Sequence, residues 1–161
     1  MKRGFLLVAS LGATFMLGGC FGVIDQGNVG VRTTFGKVNS EPVEPGMYMA
    51  VLSSVREFTA KESAVNLDNM TPKAKDNLTL KEMDLTVYYR VNGAKVPELY
   101  TKYAAQNARS QHGYWYAGYQ LVENLSRTAI YEEVAKHDSL TIHQHRDEVA
   151  TAVQKNVQAE L

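Results

Sequence analysis

This 161-residue chain predicts an α+β fold, a small antiparallel or mixed sheet packed by helices, and three observations carry that expectation. Residues 28 to 91 alternate apolar and polar side chains with the two-residue period of half-buried strands. Residues 97 to 161 space their apolar side chains by three, four and seven, the period of helices. Strands first and helices later place two kinds of apolar face in one domain-sized chain, and each face is buried against the other kind of element.

The chain opens with a charged head, Lys2 and Arg3, followed by Gly4 to Ile24 without a charged residue. That is the profile of a secretory signal, and it ends on Leu17-Gly18-Gly19-Cys20, which holds the chain's one cysteine. This ending resembles the lipobox of bacterial lipoproteins. The resemblance implies cleavage before Cys20, a diacylglycerol on its thiol and acylation of the new amino terminus. The competing reading is an uncleaved span, because 21 helical residues at ~1.5 Å each reach across a ~30 Å hydrocarbon core. Gly12, Gly18, Gly19 and Gly22 weigh against it, since each costs about 1 kcal/mol relative to Ala inside a helix. The expected division is a signal peptide over 1–19, a lipidated cysteine and short tether over 20–25, and one domain over 26–161.

Val29, Val31, Thr33 and Phe35 then alternate with Gly30, Arg32 and Thr34 in a first strand, ended by Gly36-Lys37. Pro42, Pro45 and Gly46 mark a loop, and Met47 to Leu52 a second extended run. Val55 to Leu67 continues extended, and Asp68 to Asp76 reads as a turn. Met83, Leu85, Val87, Tyr89 and Val91 form the clearest strand face, with Leu78 and Leu80 out of phase across a bulge or break near Lys81-Glu82. Pro97 opens a short helix carrying Leu99, Tyr100 and Tyr103. Gly113-Tyr114-Trp115-Tyr116 reads as a loop entering a helix through Leu121, Val122, Leu125, Ala129 and Val134. Thr141-Ile142-His143-Gln144 has the form of a capping box for a last helix through Val149, Val153 and Val157, which shows no stop signal before Leu161, so that ending there and continuing beyond are equally open.

The order of these features resembles the SPFH or band 7 family, which includes stomatins, prohibitins and flotillins. The residues that carry the resemblance are Gln26-Gly27-Asn28-Val29-Gly30-Val31, Phe35-Gly36-Lys37-Val38, Pro45-Gly46-Met47-Tyr48, Asp76-Asn77-Leu78-Thr79-Leu80, Leu85-Thr86-Val87-Tyr88-Tyr89-Arg90-Val91 and Arg127. The resemblance implies a membrane-associated scaffold that forms homo-oligomers and has no catalytic residues. It also implies that the lipobox replaces the family's usual membrane helix.

Composition excludes some partners. Charges balance at 17 basic and 17 acidic, and removing Lys2 and Arg3 leaves 15 basic against 17 acidic, which is no footprint for nucleic acid. Gly30 and Gly36-Lys37 miss the phosphate-loop spacing, and Val38 stands where that motif needs Ser or Thr. His137, His143 and His145 lack the four-residue spacing that converges two ligands on one helix face, so solvated or capping roles are expected. Ser110 and His112 have no orienting carboxylate in view. Asn77-Leu78-Thr79 and Asn124-Leu125-Ser126 match a glycosylation acceptor that a bacterial lipoprotein would not use. Arg127 is expected to pair with a carboxylate or cap carbonyls. Catalytic residues, cofactor and metal are therefore all expected to be absent.

Tyr114, Trp115, Tyr116 and Tyr119 form the candidate interface, because rings with polar tips suit membrane and protein contacts alike. The leading expectation is a scaffold of the bacterial envelope, lipid-anchored and facing the periplasm, that oligomerises and organises or regulates a partner membrane protein such as a protease. Phe21, standing where inner-membrane lipoproteins often carry Asp, favours the outer membrane. The alternative is a monomeric envelope lipoprotein that binds one partner or ligand through the Tyr114 to Tyr119 region.

Overall fold

The alternation that starts at Asn28 becomes strand β2 (Asn28–Thr34) in the computed structural model, which describes residues 20–160. Ahead of it lies β1 (Cys20–Ile24), and after it come β3 (Lys37–Val38), β4 (Gly46–Ala50) and β5 (Ser53–Thr59). Residues 20–24, expected as a tether, are thus a strand whose partner is β4, antiparallel from Cys20↔Ala50 to Ile24↔Gly46. Ile24 is buried and anchors that ribbon to the body of the domain.

β2 and β5 pair along their whole length and, with β3 and the two short strands β8 (Ala108–Arg109) and β9 (Trp115–Tyr116), form a five-stranded sheet ordered β3-β2-β5-β9-β8. Strand β9 corrects the loop expected at 113–116. Trp115 joins β5 through one parallel pairing with Phe58, too short a strand to leave a two-residue period in the sequence. Gly30 lets the 39–46 loop lie against the sheet, exchanging backbone hydrogen bonds with Val43 at 2.8 and 2.7 Å. A Cβ at Gly30 would sit 2.8 Å from Val55 Cγ1 and 2.9 Å from Val43 Cβ, so any side chain there displaces the loop or the sheet. Helix α1 (Val96–Lys102) begins with Pro97 in its first turn, as expected, and Val96 joins Val29, Val31, Phe58 and Ala117 in the first core cluster.

The second cluster belongs to a separate layer. Strands β6 (Ser63–Met70) and β7 (Met83–Tyr89) form an antiparallel ribbon, with Val65↔Val87, Leu67↔Leu85 and Met70↔Met83 opposed. Two helices cover it, α2 (Tyr119–Val134) and α3 (Arg146–Glu160). Leu67 and Met70 pack there with Ala129, Ile130, Val134, Val149, Val153 and Val157. The phase change at Lys81-Glu82 is real: Glu82 takes φ 54°, and Leu80 ahead of it still reaches the helical core.

Two further expectations change. The 141–144 segment is a single 3₁₀ turn (Ile142–Gln144), and α3 begins only at Arg146. Thr141 makes no capping bond because its hydroxyl turns back to the Asp138 carbonyl at 3.3 Å. Phe35, expected on the apolar face of the first strand, instead occupies a two-residue hairpin turn with Gly36, at φ 48° and 82°. Positive φ at both central residues is the type I′ geometry that matches strand twist, and it points the ring outward.

Candidate functional site

The register of β1 on β4 sets Phe21 opposite Met49 and Val23 opposite Met47. In strands, alternate residues share a face, so these four side chains stand together. All are exposed, Val23 at 66% and Met47 at 78%. The opposite face of the ribbon turns inward, with the Tyr48 ring lying over Gly22 and Ile24 buried. Arg32 ties the ribbon to β2, its Nη2 donating to the Met49 carbonyl at 3.2 Å.

The same end of the molecule gathers more apolar surface. Beyond Ala50, the partner of Cys20, the chain passes through exposed Val51 and Leu52 into Ser53. Ser53 pairs with Thr34, which immediately precedes Phe35, itself 84% exposed. Seven of the eleven large apolar side chains exposed among the described residues therefore belong to this rim: Phe21, Val23, Phe35, Met47, Met49, Val51 and Leu52. A contiguous apolar patch of this kind marks an interaction site on a soluble-facing surface. Phe35 and Leu52, at φ 48° and 54°, also hold a left-handed backbone that costs roughly 1–2 kcal/mol in a residue bearing a side chain. The exposed Lys37 follows Phe35 at the edge of the rim.

Cys20 is the first residue of β1, so the position expected to carry lipid lies at the edge of this rim. Leu17, Gly18 and Gly19, together with the signal peptide over 1–19, lie outside the described residues. Among the described residues no helix is long and apolar enough to cross a membrane.

Of the four candidate-interface aromatics, Tyr114, Tyr116 and Tyr119 come together as a half-buried ladder and Trp115 stays out of it. Tyr114 meets Tyr116 edge-on at 5.6 Å, Tyr116 meets Tyr119 at 5.8 Å, and His112 lies against Tyr114 at 6.1 Å. Trp115 faces the other way, with the Arg56 and Arg109 guanidinium carbons 5.7 and 5.9 Å from its ring. Beside the ladder a cavity of about 370 Å³ opens between Tyr89, Val91, Leu99 and Leu121. The Tyr89 hydroxyl is buried without a partner, and burial pushes its titration well above the ordinary phenol value.

Ser110 and His112 make a turn: the His112 backbone N–H donates to Ser110 Oγ at 3.0 Å, and the imidazole plays no part in that contact. Arg127 pairs with Glu123 at 3.3 Å on the exposed side of α2, an ion pair of the kind expected for it. His137 and His145, expected in solvated or capping roles, meet because the segment between α2 and α3 is a series of turns instead of one helix.

The sequence profile of the SPFH domain / Band 7 family matches residues 22–161. The chain belongs to that family. The match begins inside β1, so the ribbon beside Cys20 is part of the SPFH domain itself. SPFH domains are membrane-associated, often oligomeric, and generally act as scaffolds instead of enzymes. No curated protein is significantly similar to the chain.

Proposed function

We propose that this SPFH domain is a lipid-anchored scaffold of the bacterial envelope, acylated at Cys20, that rests its apolar rim on the membrane and self-associates to organise or regulate a partner membrane protein. The observation that carries the reading is the placement of Cys20 at the edge of the rim made by Phe21, Met49, Val51, Leu52 and Phe35. An anchor on a long tether would leave the domain free to tumble above the bilayer. An anchor on the first residue of a strand holds that strand at the lipid surface. Acyl chains contribute roughly 0.8 kcal/mol per buried methylene, and one chain alone binds marginally, so additional apolar contact converts attachment into a fixed orientation.

Lys2 and Arg3 ahead of the apolar segment stay on the cytoplasmic side, which puts the domain in the periplasm. Phe21 after the cysteine favours the outer membrane. Mass spectrometry of the membrane-extracted protein tests the anchor: the expected amino-terminal peptide starts at a lipid-modified Cys20, and an unmodified peptide starting at Met1 or Lys2 would overturn it.

A second reading draws on the cavity beside the aromatic ladder. Its apolar lining by Val91, Leu99 and Leu121, with Tyr89 beside them, would suit a monomeric lipoprotein that captures one ligand or peptide. Light scattering on the extracted protein separates the two, since the scaffold reading expects an oligomer and the binding module a monomer.

A further inference from the structure

The connection between α2 and α3 contains a side-chain arrangement that neither the scaffold nor its membrane contact uses. His137 lies three residues past α2 and is fixed on both sides of its backbone: its N–H donates to Val134 at 3.1 Å, and its carbonyl accepts from Lys75 at 2.9 Å. His145 closes the 3₁₀ turn, donating to Ile142 at 3.0 Å and accepting from Val149 in the first turn of α3 at 2.9 Å. The two imidazole rings stand 5.0 Å apart. Glu148 reaches back, its Oε2 at 2.8 Å from His145 Nδ1.

One nitrogen from each imidazole and one Glu148 oxygen lie within 4.8 Å of one another. His137 Nε2 is buried and makes no hydrogen bond; its neighbour Glu133 Oε1 is 3.5 Å away, a charge contact only. A buried ring nitrogen without a hydrogen-bond partner carries an uncompensated desolvation cost. A cation that takes one nitrogen of each ring and the Glu148 oxygen as ligands removes it.

We propose that His137, His145 and Glu148 bind a divalent transition-metal ion, with zinc as the ion best matched to two imidazoles and one carboxylate. Three protein ligands leave the fourth tetrahedral position to water, on the side where Glu148 is exposed. Glu133, whose Oε1 lies 3.5 Å from His137 Nε2 and whose Oε2 accepts from Lys136 Nζ at 2.6 Å, sets a further carboxylate beside the site. The ion staples the turn after α2 to the first turn of α3, fixing the helical hairpin that covers the β6–β7 ribbon. His143, two residues from His145 and exposed, takes no part.

The test is a zinc titration of the full chain in detergent, stripped with a chelator and read by competition with a chromogenic zinc indicator. The expected result is one zinc per chain, with affinity falling about 100-fold or more in His137→Ala and in His145→Ala and about 10-fold in Glu148→Gln, as loss of ligands requires. His143→Ala and His112→Ala should bind as the unaltered chain does, and magnesium should not compete. Glu148→Gln changes only an exposed side chain and keeps the fold, so it remains informative if a histidine variant unfolds. No zinc binding, binding untouched by Glu148→Gln and both histidine variants, or binding that disappears only with Cys20→Ser would each overturn the site.

Discussion

Two ribbons in this molecule are built alike and finished differently. In β6–β7, Val65, Leu67 and Met70 oppose Val87, Leu85 and Met83, and α2 and α3 close over Leu67 and Met70 until they are almost fully buried. In β1–β4, Phe21 and Val23 oppose Met49 and Met47 with the same alternation, and no element of the chain among the described residues covers them. A two-stranded ribbon with one apolar face is marginal in water until that face is covered. The chain supplies the cover for one ribbon. In the proposed function, lipid is the cover for the other.

The contrast predicts opposite responses to substitution. Met47→Glu, Met49→Glu and Leu52→Glu combined, in the unacylated chain begun at residue 20 with Cys20→Ser, should cut partition into phospholipid vesicles by about 10³-fold or more. Each side chain taken out of lipid forfeits at least roughly 1.5 kcal/mol. The thermal midpoint of that variant should hardly move, because exposed substitutions stay within about 0.5 kcal/mol each. Vesicle sedimentation and thermal melts read both quantities, and a fall in stability without a fall in partition would erase the distinction.

At the other ribbon, Ile130→Ala or Leu67→Ala should cost about 2–5 kcal/mol in denaturant unfolding. The folded fraction should still bind vesicles as before. Weakened binding by properly folded Ile130→Ala would mean that the two regions are coupled.

A smaller effect comes from pH. Glu133 is held below its ordinary value of 4.5, chiefly by the Lys136 hydrogen bond acting against burial. A depressed folded value contributes stability that is complete above the unfolded value and is lost as pH falls through the folded one. The stability advantage of the metal-free chain over Glu133→Gln should therefore be present at neutral pH and vanish on acidification below about 4.5. An advantage that persists in acid would assign Glu133 a packing role instead.

The covered ribbon was the more legible in sequence. Met83 to Tyr89 alternates without interruption, and the apolar positions of α2 and α3 recur at helical spacing, so periodicity alone locates them. The uncovered ribbon was hidden by its position. Phe21 to Ile24 continues the uncharged run that starts at Gly4, and only the pairing with β4 reveals a strand. Phe35 fits the phase of β2 and misleads for that reason, since phase cannot tell the last strand residue from the first turn residue. The meeting of His137 with His145 was invisible too: eight residues of irregular turns have no fixed angle per residue from which side-chain direction can be computed. Its one trace in sequence was three histidines within nine positions.

The central claim, that the rim beside Cys20 lies in lipid while the helical layer stands clear of it, is tested by depth-resolved quenching. A thiol-reactive fluorophore is placed by Met47→Cys, by Leu52→Cys and by Leu140→Cys in the full chain extracted from membranes, where Cys20, if acylated as proposed, does not react. In vesicles containing brominated lipids, strong quenching at positions 47 and 52 and none at 140 is the predicted result. Equal quenching at all three positions, or none at 47 and 52, would contradict it.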